Sequence, residues 1–130
     1  MNKKGFSLLE LLVVMAIIGL LSAVMLPNLA SAQNRAKEAA LRTVVYNVQA
    51  ELEGYYLDND FYPEGDNLSL AQLTGALAVK PFRNPFTGRN YQAGDTAGRI
   101  VYGLNSGAGE YTLTAYKKDG SAVLLELTNS

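Results

Sequence analysis

Residues 6–26 read FSLLELLVVMAIIGLLSAVML, a run in which Glu10 is the only charge and Ser7 and Ser22 are the only other polar side chains. As a helix rising about 1.5 Å per residue, a segment of this length spans roughly 30 Å, the thickness of a bilayer's hydrocarbon core. The residues before it carry Lys3 and Lys4 and no acid. That bias keeps the N-terminal end in the cytoplasm and sends the remainder across.

Composition bounds the rest of the reading. The chain has 130 residues, 48% hydrophobic and 18% charged, with 11 Lys plus Arg against 12 Asp plus Glu and a net charge of -1. The length fits one domain at most. With no histidine and no cysteine, the commonest general base, the thiol nucleophile and zinc's favoured ligands are all missing. No Ser-His-Asp set can be completed, and no paired carboxylates sit at useful spacing on defined elements, so no catalytic, cofactor-binding or metal residues are assigned and no enzyme is read.

Three readings of the N-terminus compete. A cleaved secretory signal has a small-x-small site at Ala30-Ser31-Ala32, which would release a soluble binding domain beginning at Gln33; against it, the apolar run exceeds the usual signal core and carries an acid. A plain anchor explains length and flanking lysines but gives no reason for Glu10. The third reading starts from that carboxylate, which is costly inside a bilayer unless partnered. A cut between Gly5 and Phe6 would place a new ammonium one helical turn from Glu10.

Gly5-Phe6-Ser7-Leu8-Leu9-Glu10, the following apolar run and Pro27 resemble the class III signal of type IV pilins and related pseudopilins. The resemblance implies that a membrane-embedded prepilin peptidase cuts after Gly5 and methylates Phe6. It implies that Glu10 faces the N-terminal amine of a neighbouring subunit, and that Ser7 stands where the family often has Thr. Removal of Lys3 and Lys4 leaves 9 basic against 12 acidic side chains, a balance of -3.

Pro27 lacks an N–H and clashes with the preceding turn, so it is expected to kink the helix without ending it. From Gln33 to Tyr56, Leu41, Val45, Val48, Leu52 and Tyr55 follow helical spacing, with Val44 and Tyr56 beside them. This stripe predicts a core face, a helix ending near 57–59, and an i,i+4 pair between Glu38 and Arg42. The loop-rich stretch 58–95 contains one capping box, Ser69-x-x-Gln72, predicting a short helix over 69–77 with Leu70, Leu73 and Leu77 inward. Asn84 to Gly88 is a turn signal, and Phe82, Phe86 and Tyr91 are anchors for docking the loop.

Alternation then predicts three strands. Ile100, Tyr102 and Leu104 share one face, Tyr111, Leu113 and Ala115 another, and Val123, Leu125 and Leu127 a third. The loop 105–109 and Asp119-Gly120 supply the turns of a meander. The expected fold is α+β and pilin-like, a long N-terminal helix with a transmembrane first half, packed on a small three-stranded antiparallel sheet. Its parts are a leader over 1–5, a transmembrane and filament-core helix half over 6–32, and a globular head over 33–130.

The expected function is structural. The resemblance implies a major-pilin-like subunit of a type IV pilus, or fimbrium, serving adhesion, motility or DNA uptake; the alternative is the major pseudopilin of a type II secretion system. Its partners are then copies of itself in a helical homopolymer, the prepilin peptidase, an assembly platform, and the membrane before assembly. The precursor is expected in the cytoplasmic membrane as a single-pass protein, and the product in an extracellular pilus or periplasmic filament.

Other constellations have plainer readings. Lys80, Arg83, Arg89 and Arg99 against Asp95 leave a local charge of +3; DNA is an available partner but no basic stripe indicates it. Asp58, Asp60, Glu64 and Asp66 offer calcium oxygen ligands, although their spacing matches no EF-hand, and no cofactor is assigned. Tyr46, Tyr55, Tyr56, Phe61 and Tyr62 are expected to pack at the helix–sheet junction. Asn67-Leu68-Ser69 is a sequon by pattern only.

Overall fold

The computed structural model describes residues 5–129. The lysines of the N-terminal leader, Lys3 and Lys4, lie outside the described residues. Helix α1 spans Leu8–Asn59, and the chain divides into two compact units, residues 1–35 and 36–130.

In the first unit, every large apolar side chain from Phe6 to Leu29 is 49% to 90% exposed. The helix is long and apolar enough to cross a membrane. It continues through Pro27, whose missing N–H leaves the Ala23 carbonyl without its usual donor. One residue on, the Asn28 amide donates to the Val24 carbonyl at 3.3 Å, adding a side-chain bond where the backbone ladder is weakest.

In the second unit, the predicted stripe is the core face of α1. Leu41, Val45, Val48 and Leu52 are fully buried, while Val44 and Tyr55 are partly buried against the same cluster. Tyr56 leaves the stripe, 41% exposed, and stacks on Tyr62 at 4.7 Å. Glu38 and Arg42 do not pair; among the described residues the ion pair within 4.0 Å is Arg89–Asp95. An exposed i,i+4 pair offsets little more than the side-chain entropy it costs.

Strand β1 (Leu68–Ser69) leads into α2 (Leu70–Leu77), followed by β2 (Ile100–Asn105), β3 (Glu110–Tyr116) and β4 (Val123–Thr128). The sheet is antiparallel in the order β1-β2-β3-β4. It therefore has four strands rather than the three expected. The added strand is two residues, Leu68 opposite Tyr102 and Ser69 opposite Val101, too short for alternation to reveal. Ser69 is also the N-cap of α2, and its capping box with Gln72 is complete. Leu70, Leu73 and Leu77 are buried as expected, and Thr74 joins them by donating its hydroxyl to the Ala71 carbonyl at 3.0 Å.

Alternation holds through β2 and β3, where Ile100, Tyr102, Tyr111, Leu113 and Ala115 are buried. It fails in β4. Ala115 pairs with Leu125 but Tyr116 pairs with Val123, so Leu124 is an extra residue in a bulge. One inserted residue turns the end of a strand over; Val123 is therefore 51% exposed rather than on the face of Leu125 and Leu127. The Asp119-Gly120 turn forms as expected, with Gly120 at φ 75 and its N–H donating to the Lys117 carbonyl at 2.9 Å.

Candidate functional site

The start of α1 is built by a second capping box. Glu10 N–H donates to Ser7 Oγ at 3.2 Å, and Ser7 N–H donates to Glu10 Oε2 at 3.1 Å. Each side chain thus satisfies a backbone donor that a helix N-terminus leaves orphaned. The carboxylate also lies where the helix dipole favours negative charge. The S-x-x-E spacing signals this box in the sequence as clearly as Ser69-x-x-Gln72 does; placing both residues inside an apolar span concealed it.

Phe6 and Glu10 border one shallow apolar cleft with Leu9, Val13 and Val14. Phe6 is 90% exposed, and a Cβ built on Gly5 meets nothing within 4 Å. The four candidate residues lie along one exposed segment: Gly5 before the helix, Phe6 at its entry, Glu10 in its first turn and Pro27 in its interior. So long a run of exposed apolar side chains marks a surface that lipid or protein covers.

The other candidates differ in their partners. Of the basic loop residues, Arg89 pairs with Asp95 at 3.0 Å, Arg83 Nε donates to the Gly88 carbonyl at 2.8 Å, and Arg99 Nε donates to the Gly120 carbonyl at 3.0 Å while its guanidinium lies 4.0 Å from the Tyr116 ring centroid. These three hold loops in place. Among the described residues no trio of acidic side chains is gathered as a metal site, so Asp58, Asp60, Glu64 and Asp66 do not converge. The aromatic cluster divides: Tyr62 and Tyr111 are buried in edge contact at 4.8 Å, whereas Tyr46, Tyr56 and Phe61 face outward. Glu53 accepts from the hydroxyls of Tyr62 at 3.1 Å and Tyr111 at 2.9 Å. Burial, and then that carboxylate, push the Tyr111 phenol up.

The loop before β2 is organised by Asn84, fully buried. Its Nδ2 donates to the Ala97 carbonyl at 2.8 Å, and its Oδ1 accepts from Phe86 N–H at 3.0 Å. Asp95, its side chain 4% exposed, accepts from Arg89 Nη2 at 3.0 Å and Gln92 N–H at 3.1 Å. Burial alone would raise the Asp95 pKa; the bonds from Gln92, Arg89 and Asn84 outweigh it and hold the carboxyl below its ordinary value. A depressed folded-state pKa adds stability above the unfolded value of about 3.9, and that stability is lost as pH falls through the folded value. Asp95→Asn should lower unfolding free energy at pH 7 by about 1 to 3 kcal/mol and flatten its acid dependence below about pH 4. Denaturant unfolding of the full chain in detergent at several pH values checks both.

Comparison with known proteins fits this arrangement. Residues 1–26 match a family model described as the prokaryotic N-terminal methylation motif. The chain is 43% identical over 61 residues to the type IV wide pilus major component PilA4 of Thermus thermophilus, covering 47% of each. It is 35% identical over 90 residues to the type II secretion system core protein G of Dickeya chrysanthemi, covering 69% of this chain and 55% of that one. The chain thus spans about half the length of these two relatives. With the Escherichia coli core protein G it is 30% identical over 123 residues, 92% of this chain and 84% of the relative. No solved structure gives a significant match.

Proposed function

We propose, since the chain belongs to the family of type IV pilins and type II secretion pseudopilins, that it is a structural filament subunit matured at Gly5–Phe6. The carrying observation is the first helix half, whose large apolar side chains are all exposed. Before assembly, lipid covers them; afterwards equivalent helices of other copies do. Cleavage after Gly5 frees the Phe6 ammonium, which takes the methyl group and pairs with Glu10 of a neighbour. Pro27 kinks the helix where subunits adapt to packing.

The chain is a substrate of the peptidase and then a building block, with no catalysis of its own. The precursor sits in the cytoplasmic membrane, crosses it once, and is drawn by an assembly platform into a filament. The relation to PilA4 supports a major-pilin-like role in adhesion, motility or DNA uptake. The match to core protein G, which runs through the head, supports a major pseudopilin of type II secretion.

The test is the N-terminus and mass of the protein purified from its native host. N-methylated Phe6 is the expected start. A chain beginning at Gln33 would overturn the filament reading in favour of a secreted domain, and an intact Met1 would leave only a membrane anchor.

A further inference from the structure

At the end of α1 a groove of about 410 Å³ opens between the helix terminus and the β2–β3 hairpin. Its walls are Tyr56, Phe61 and Tyr62, with Asp60 and Glu64 beside them and hairpin residues of 106–109 opposite. Tyr56 and Phe61 keep 41% and 54% of their surface open. Asp60 occupies the left-handed conformation at φ 64 and donates its N–H to the Tyr56 carbonyl at 2.7 Å, a helix-ending position that glycine or asparagine fills more cheaply. The last turn of α1 contains no basic residue, so the negative end of its dipole is not offset within the turn. Aromatic faces and the carboxylates of Asp60 and Glu64 together form a receptor for a cation on a flexible stem.

The same chain carries the complementary group. Lys117 and Lys118 lie exposed on the β3–β4 turn. That turn is held by Lys117 N–H to the Ala122 carbonyl at 2.8 Å and by Asp119 Oδ1, which accepts from Ser121 and Ala122 N–H, each at 3.0 Å. The carboxylate of Asp119 is thereby occupied by its own turn. No counter-ion lies within 4.0 Å of Asp60, Glu64, Lys117 or Lys118 among the described residues.

Topology prevents these groups from meeting in one copy. An antiparallel meander puts the β2–β3 hairpin and the β3–β4 turn at opposite ends of β3, a seven-residue strand about 20 Å long. A contact between unlike ends does not close on itself and propagates from copy to copy. We propose that the Tyr56–Phe61–Glu64 groove of one copy receives the Lys117–Lys118 turn of the next, joining heads end to end. The contact rests on the filament reading above and adds the head surface that sets its register.

The chain contains no cysteine, so a designed disulfide can be read without background. Glu64→Cys combined with Lys118→Cys in the full chain, oxidised in sheared filaments, should give a ladder of covalent multimers; each single variant should stay monomeric. Lys117→Glu with Lys118→Glu should cut filament yield at least tenfold while leaving the mature N-terminus at Phe6. Adding Asp60→Lys and Glu64→Lys should restore the yield. A monomeric double-cysteine variant in intact filaments, undiminished yield after the lysine reversal, or failure of the fourfold reversal to restore it would overturn the contact and leave the filament reading standing. Disulfide capture of a different protein in place of a second copy would also overturn it. If the wild-type chain forms no filaments, the filament reading fails and the contact built on it fails with it, an outcome distinct from filaments that form without the crosslink.

Discussion

Glu10→Ala should yield a chain that is cut and methylated normally yet stays in the membrane, with filaments reduced more than 100-fold. Within one copy the substitution removes one capping bond, Ser7 N–H to Glu10 Oε2. That loss frays a first turn at the head of a 52-residue helix and leaves the remainder untouched. Between copies the effect is far larger. In the proposed filament the Phe6 ammonium would enter an apolar surrounding, and removing its carboxylate leaves an uncompensated charge there, which costs about 3 to 5 kcal/mol. Quantifying sheared filaments against the membrane pool, with the N-terminus determined in both, separates assembly from maturation. Abundant filaments from Glu10→Ala would remove the role assigned to that carboxylate.

Gly5→Leu should abolish maturation altogether, leaving full-length precursor in the membrane and no filaments. Gly5 precedes α1, and a Cβ at this position meets no atom of the chain within 4 Å. The fold therefore gives no reason for the substitution to matter. A block would belong to the peptidase, whose site must admit the backbone on the leader side of the bond. Accumulation of intact precursor with a folded head is the expected result on immunoblot and mass spectrometry. Normal trimming of Gly5→Leu would refute cleavage at that bond.

The two substitutions have opposite signatures, one failing before the cut and the other after it. The head residues give a third. Asp95→Asn lowers stability at neutral pH and removes part of its decline in acid, through a carboxylate that sits far along the chain from Gly5 and Glu10.

The sequence is most legible where one physical effect dominates. An apolar run needs lipid or protein around it whatever the fold, so residues 6–26 declare themselves without any tertiary information. The stripe Leu41, Val45, Val48 and Leu52 and the Ser69-x-x-Gln72 box are equally plain, because helical period and capping are local rules. The Ser7-x-x-Glu10 box obeys the same local rule.

What stayed hidden depends on partners distant in the chain. Val123 cannot be assigned a face from alternation, since the bulge at Leu124 arises from its pairing with β3. The strand Leu68–Ser69 exists only because β2 lies beside it. Asn84 and Asp95 look like ordinary loop residues until the fold buries them and supplies the Ala97, Gln92 and Arg89 partners. Glu38 and Arg42, by contrast, have the right spacing but do not pair, because an exposed ion pair contributes too little to fix two long side chains.

By itself the sequence determined that residues 6–26 form an apolar span carrying one carboxylate that is costly in lipid, and that an α+β head follows it, because periodicity and transfer free energy act residue by residue. Only the tertiary structure decided the sheet's fourth strand, the turned-over end of β4, and which polar side chains are buried and paired. Those outcomes come from long-range hydrogen bonding and packing, which no local window of sequence contains.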